Sequence, residues 1–272
     1  MRRTFPGRSA PGCRIRSRFN LRIDLKNTTI MIHAMNDHPD RVENLRIVLK
    51  WIRKHLDVKV LLAVNSYGSL DYSWAYSQVD AVLPFNEYLS HSTKYTNMMA
   101  EASGTPLVCH WCGDVILDRP ESLLEAAKIL ESGWDFVWPY MNGYAIEQAS
   151  FPILEKDLCV DRIPVKYREG FDQKLTVGYI IMARRYSWVS AGGFNEEMIE
   201  YGPIDKEAVF RWSAMGFRFQ RTVSNVFHLR HWRPRDNGMP NPFADKNDAV
   251  FQKVKRMSPP QMAEYVKWKR NV

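Results

Sequence analysis

No stretch of this 272-residue chain comes near the roughly 18 consecutive apolar residues of a transmembrane helix. Cysteine is scarce. Cys13, Cys109, Cys112 and Cys159 are too few and too scattered for the disulfide framework of a small secreted domain. Cys109 and Cys112 form a single C-x-x-C, but a zinc site of that kind calls for a second pair. The pair also follows the extended run Pro106-Leu107-Val108 instead of opening a helix, and on a straight strand residues three apart face opposite sides. No G-x-G-x-x-G follows the first apolar run and no G-x-x-x-x-G-K-[ST] occurs anywhere, which disfavours a dinucleotide oxidoreductase and a P-loop enzyme. Internal repeats are absent.

The composition is otherwise that of a globular protein, 45% hydrophobic and 25% charged. The net charge of +8 is unevenly spread. Residues 1–28 carry eight basic side chains and one acid, so the rest of the chain is close to neutral. A basic body that would bind nucleic acid is therefore not expected. Residues 1–27 hold Pro6, Gly7, Pro11 and Gly12, show no apolar period, and read as a disordered basic tail. They lack the apolar core of a secretory signal. Three readings stay open for the tail: a transit peptide, a solvated extension, or a peripheral membrane contact, since basic residues gain about 1 kcal/mol each near an anionic surface.

Beyond the tail, apolar runs and helical periods alternate. Strands are expected at 28–34, 58–64, 81–84, 107–111 and 135–139. Helices are expected from Asp40 to about residue 52, at 93–102, and from a capping box at Asp118-x-x-Glu121 to about Glu131. This order predicts an α/β fold with a mostly parallel central sheet flanked by helices, and ligands beyond the carboxyl ends of its strands. The second half should hold a strand at 176–183, a Gly-rich turn at Ala191-Gly192-Gly193-Phe194-Asn195-Glu196, a helix from Lys206 to Met215 ended by Gly216, and extended segments at 217–220 and 223–229. Residues 28–245 make one domain, and two terminal helices in 246–272 make a C-terminal extension.

Several residues could carry chemistry, each with a plainer alternative. Asp114, just past the fourth strand, could hold a divalent cation against a diphosphate, or be a turn residue. Asp205 and Glu207, at a helix start, could include a general base or could simply complement the helix dipole. His228 and His231, beside Arg230, Arg233 and Arg235, suggest a patch that faces an anion or a metal.

The stretch from Ala191-Gly-Gly-Phe-Asn-Glu through Tyr201-Gly-Pro-Ile-Asp205-Lys-Glu to Gly216, with the acidic turn at Cys112-Gly113-Asp114 before it and the His-containing strand after it, resembles the inverting GT-A glycosyltransferases. The likeness is closest to family-2-like members with a galactosyltransferase-type C-terminal segment, and it covers about residues 28–235. Lys94-x-x-Asn97 ahead of Ser103-Gly104 resembles the segment that meets the nucleotide there. A nucleotidyltransferase is a poorer fit, because Met35-Asn36-Asp37-His38-Pro39 has no glycine.

The resemblance implies a GT-A fold and a nucleotide-sugar donor, usually a UDP-sugar. It also implies a glycan or glycolipid acceptor and a divalent cation, Mn²⁺ or Mg²⁺. It places the cation on Asp114 and His228, the general base on Asp205 with Glu207 as the second acid, and the donor near Asn36, Lys94, Asn97, Cys112, Gly192 and Gly193. Two departures stand out: Cys112 replaces the first Asp of the family's D-x-D, and Ile204 replaces the acid before Asp205. They motivate an alternative, a non-catalytic relative that binds a sugar nucleotide or a partner transferase. With no anchor in sight, a cytoplasmic enzyme of surface polysaccharide or glycolipid synthesis, or a membrane-peripheral one, is the expectation.

Overall fold

The computed structural model describes residues 22–35, 38–68, 70–170, 176–233, 238–239 and 241–267. Its first half runs β1 (Ile23–Ala34), α1 (Asp40–His55), β2 (Leu56–Asn65), β3 (Ala81–Phe85), α2 (Ser92–Ala102), β4 (Leu107–Trp111), β5 (Val115–Leu117), α3 (Glu121–Glu131) and β6 (Phe136–Trp138). The second half runs β7 (Asn142–Ile146), α4 (Phe151–Leu154), β8 (Arg168–Gly170), β9 (Ile180–Arg184), α5 (Arg185–Ser190), α6 (Ile204–Ala214), β10 (Phe219–Arg221), β11 (Asn225–Leu229), α7 (Ala244–Lys255) and α8 (Pro259–Tyr265).

Seven strands form the main sheet in the order β10-β6-β9-β4-β1-β2-β3. Neighbours are parallel except where β9 runs against β4 and β6. The predicted mixed α/β architecture with a mostly parallel sheet is thus present. Because β9 is reversed, its amino end meets the carboxyl ends of β4 and β6, and the groove there is lined from both directions. A smaller sheet, β5-β11-β7-β8, stands beside it and brings the end of β11 over the turn that follows β4.

The elements follow the residue pattern. β1 is β-branched and apolar and buries all of its last seven residues. Helix α1 turns Leu45, Val48, Leu49 and Ile52 to the sheet, with Asp40 and Glu43 in its first turn and Arg53, Lys54 and His55 in its last, as the helix dipole favours. The core runs through Trp51, Trp111, Trp188 and Trp212, with Phe136 stacked on Trp212 at 4.2 Å between centroids.

Several expectations need correction. Residues 23–27, assigned above to the tail, belong to β1, where Ile23 pairs with Leu56 ahead of a register shift. The strand expected at 176–183 starts only at Ile180, because residues 176–179 bend away to line the groove. Asp118 does not cap α3. Its carboxylate accepts from the Ser224 hydroxyl and from both the backbone and side-chain nitrogens of Asn225, and so ties the end of β5 to the start of β11 within the smaller sheet. Helices α7 and α8 are sewn to the body. Asn247 bonds the backbone of Ile199 and Tyr201, and the Tyr265 hydroxyl reaches Asn195 and Glu197.

The turn before α6 shows why those contacts matter. Gly192 and Gly193 both have positive φ, +75° and +54°. A Cβ on Gly193 would fall 2.0 Å from Asn97 Oδ1, and one on Gly192 would fall 2.6 Å from Val266 Cβ. Glycine is therefore required for interior packing as well as for backbone conformation. The turn is clamped by Arg211, 1% exposed, which donates to the carbonyls of Ala191 and Gly193 and to both carboxylate oxygens of Glu207, itself 0% exposed. Breaking a buried pair by removing one partner typically costs about 3–5 kcal/mol, since the other charge is left without compensation. Glu207→Ala should therefore lower the free energy of unfolding by an amount in that range, read from a denaturant titration. An equally stable variant would show that the pair contributes nothing to folding.

Candidate active site

The groove lies over the carboxyl edge of the main sheet. At its centre, the β4–β5 turn presents Asp114 to His228 in β11 and to His231 just beyond that strand. Its Oδ2 lies 3.6 Å from His228 Nε2 and 3.2 Å from His231 Nε2. One ligand atom from each of the three residues falls within 4.8 Å of the others. The backbone fixes this meeting: Leu229 N–H donates to Asp114 O at 2.8 Å.

The donor set is chemically suited to a cation. His231 Nδ1 lies 2.6 Å from the Trp232 carbonyl, which can only accept, so Nδ1 carries a proton and Nε2 is the atom left to face Asp114. His228 Nε2 receives an N–H of Arg233 at 2.8 Å, and Asp114 Oδ2 receives Arg41 Nη1 at 2.5 Å. Each of the three ligand atoms has an electron pair it could give to a cation, and two of them already face guanidinium groups. Burial would raise the Asp114 pKa, but His228, His231 and Arg41 outweigh it and hold the carboxyl well below its ordinary range. Burial also pulls His228 below its ordinary value against the pull of Asp114, and so favours the neutral, ligating form.

Opposite this cluster, the first turn of α6 carries Asp205. Its carboxylate rests on Gly178, where an added Cβ would lie 2.3 Å from Oδ2. No other side chain among the described residues hydrogen-bonds it. Burial without a counter-charge raises its pKa to about 6. Between the two acids lies Cys112, a thiol pushed well above its ordinary pKa by burial and by the charges of Asp114 and Asp205. It stays neutral, and its Sγ sits 3.8 Å from His110 Nε2. Tyr179 links the halves: its carbonyl accepts from Cys112 N at 2.9 Å and its ring stacks on His228.

Asp114, His228, Cys112 and Asp205 are therefore brought together in one groove. Other expected site residues take different places. Asn36 lies outside the described residues. Lys94 pairs with Glu87 at 2.8 Å, in the loop after β3 that Asn65 holds through both its side-chain atoms. Asn97 is used up inside: its amide bonds Phe194 O and Glu196, and its carbonyl accepts from Phe194 N and Trp188. Gly192 and Gly193 face Val266 and Asn97, so the glycine turn shapes the wall and does not offer its backbone to a sugar. Glu207 is spent on Arg211 and has no free edge toward the groove. His231, Arg41 and Tyr179 join the site. Of these only His231 had a sequence signal, its spacing of three from His228.

No protein-family model matches the chain, and no curated protein matches it. Solved structures match it through their fold. GalNAc-T7 with UDP, GalNAc and Mn²⁺ aligns at TM-score 0.54 and 9% identity, covering 89% of this chain and 56% of that one. The chain thus spans little more than half of the GalNAc-T7 chain. The catalytic domain of Drosophila β1,4-galactosyltransferase 7 with xylobiose aligns at 0.53 and 9% identity, covering 85% of this chain and 82% of that one. S. aureus TarS 1–349 with UDP-GlcNAc aligns at 0.56 and 11% identity, covering 86% and 69%. The chain has the GT-A fold that these sugar-nucleotide-binding transferases share.

Proposed function

We propose that the chain is a glycosyltransferase that moves a sugar from a UDP-sugar to an acceptor hydroxyl with inversion at the anomeric carbon. The observation that carries this reading is the pairing across one groove of two carboxylates with opposite environments. Asp114 is held ionised among cationic and ligating groups, and Asp205 is desolvated and raised toward neutrality. Environments that push two acids apart mark separate roles in acid–base chemistry. The presence of UDP, UDP-GlcNAc and Mn²⁺ in structures of the same fold supports the donor and cation assigned here.

The acceptor oxygen attacks the anomeric carbon as the bond from that carbon to the diphosphate breaks, and the hydroxyl proton passes to Asp205. With a pKa of about 6, Asp205 is ionised at neutral pH yet basic enough to take that proton. A divalent cation held by Asp114, His228 and His231 would supply the charge that stabilises the leaving diphosphate. Two imidazoles in that set favour Mn²⁺ over Mg²⁺, which prefers oxygen ligands. Gly178 holds the Asp205 carboxylate in place, and Cys112 separates the acids with a neutral thiol. A glycan or glycolipid is the acceptor class this reading takes, in surface polysaccharide or glycolipid synthesis. Cys112 and Ile204 at positions that are acidic in the family keep a second reading in view, a GT-A-like protein that binds sugar nucleotide without turnover.

Transfer by the wild type separates the two, and Asp205→Asn tests the base. Removing a general base costs about 10²–10⁴ in rate, and the acid limb of the wild-type rate near pH 6 should vanish with it. A carboxyl that holds its proton more tightly in the folded chain lends stability at low pH and withdraws it as pH rises through about 6. The Asn variant should therefore melt higher than wild type at pH 7.5, with the gain shrinking toward pH 5. Full transfer activity in Asp205→Asn would remove it from the mechanism. Gly178→Ala tests the placement of the same group: the new methyl must displace the carboxylate, so transfer should fall by at least tenfold, about 1.4 kcal/mol in barrier, with little loss of melting temperature. Wild-type rates in this variant would contradict the contact.

A further inference from the structure

The far side of the groove holds a cation with no carboxylate partner among the described residues, and beside it a buried phenol. Arg221 ends β10, in register with Trp138 at the end of β6. Its guanidinium donates to Thr176 O at 3.0 Å and to Tyr140 O at 3.4 Å, and lies over the rings of Trp138 and Tyr140. No carboxylate among the described residues pairs with it. Arg41, Arg53, Arg184 and Arg211, also partly or fully buried, each face an acid. Arg221 thus keeps a desolvated charge with only carbonyls and π faces around it, and most of its five N–H groups are uncommitted.

Tyr140 sharpens the point. It is fully buried, and among the described residues its hydroxyl faces the Arg221 guanidinium but makes no hydrogen bond of good geometry. Buried polar groups are nearly always bonded, so an orphan beside a groove points to a missing ligand. The groups whose charges act on this hydroxyl are Arg221, Asp205, Cys112 and Tyr179, which places it between the arginine and the acid above Gly178. The backbone makes the same connection. Arg221 holds the carbonyl of Thr176, Trp138 Nε1 holds that of Val177, and Gly178 lies under the Asp205 carboxylate. Asp114 and its histidines stand at the β4 side of Asp205, whereas Arg221 and Tyr140 stand at the β6–β10 side.

We infer that Arg221 and Tyr140 form a receptor for an anionic group on the acceptor, a phosphate or a carboxylate close to the hydroxyl that is glycosylated. This rests on the transferase reading above, which places the acceptor on that side of Asp205. A guanidinium fork with uncommitted N–H groups and a phenol donor match the lone pairs of either oxyanion. The arginine charge also offsets the repulsion that a second anion would exert on Asp205. A neutral sugar would leave both groups as they stand.

The test uses the full chain with UDP and Mn²⁺ and three matched probes, glucose, glucose 6-phosphate and glucuronate, titrated by calorimetry. The same three serve as acceptors with UDP-glucose, UDP-galactose, UDP-GlcNAc and UDP-GalNAc. At least one anionic probe should bind about 10–100-fold more tightly than glucose, the worth of a hydrogen bond to a charged group, and the better of the two identifies phosphate or carboxylate. Arg221→Gln should erase that preference, Tyr140→Phe should reduce it about tenfold, and Arg221→Lys should fall between, each variant melting cooperatively. Equal binding of charged and neutral probes by the wild type, or a preference untouched by Arg221→Gln and Tyr140→Phe, would overturn the inference. Failure of UDP to bind would instead count against the transferase reading, while the titrations without UDP would still read the arginine.

Discussion

The buried pair of Arg211 and Glu207 is the constraint on which the active-site geometry rests. Glu207 is two residues past Asp205 in the same helical turn, and Arg211 joins that turn to the carbonyls at either end of the Gly192-Gly193 bend. Asn97 closes the bend from the α2 side, and Val266 and Tyr265 close it from the C-terminal helices. The direction in which α6 starts is thereby over-determined. Asp205 can then be held against Gly178 without a side-chain partner among the described residues, and burial keeps its proton affinity high. An acid fixed by its backbone and not by its side chain is free to accept a proton.

The groove divides its charge along the sheet. On the β4 side, two guanidiniums and two histidines surround one ionised carboxylate. Over the reversed strand β9, Asp205 and the Cys112 thiol are desolvated and lack counter-charges. Beyond them, at the sheet edge, Arg221 again supplies positive charge. A reaction in which negative charge leaves toward one side and a proton moves on the other requires this asymmetry. The neutral Cys112 thiol fits it too: an ionised acid between Asp114 and Asp205 would have raised both.

Much of this was legible from the chain. The alternating runs foretold the parallel strands and their helices, and the turns at residues 112–114 and 201–205 pointed to the acids. What stayed hidden did so for physical reasons. Strands of three residues, such as β5 and β8, are shorter than any period that could reveal them. Glu207 and Asp205 look alike in sequence, and only packing shows that one is spent on Arg211. The glycines of the bend suggested a close approach to ligand, but the approach is to Asn97 and Val266. The Arg221–Tyr140 pair had no signal, because an arginine without an acid is a property of the fold.

The central claim is that Asp114 and its two histidines bind a cation that in turn binds a nucleoside diphosphate. Thermal unfolding of the full chain with UDP, with Mn²⁺ or with EDTA, and in wild type and Asp114→Asn, tests it most directly. With Mn²⁺ present, UDP at a hundred times its dissociation constant should stabilise the wild type by about 2.7 kcal/mol. EDTA or the Asp114→Asn substitution should remove most of that gain. Equal stabilisation by UDP in EDTA and in Mn²⁺, or none in either, would contradict the account.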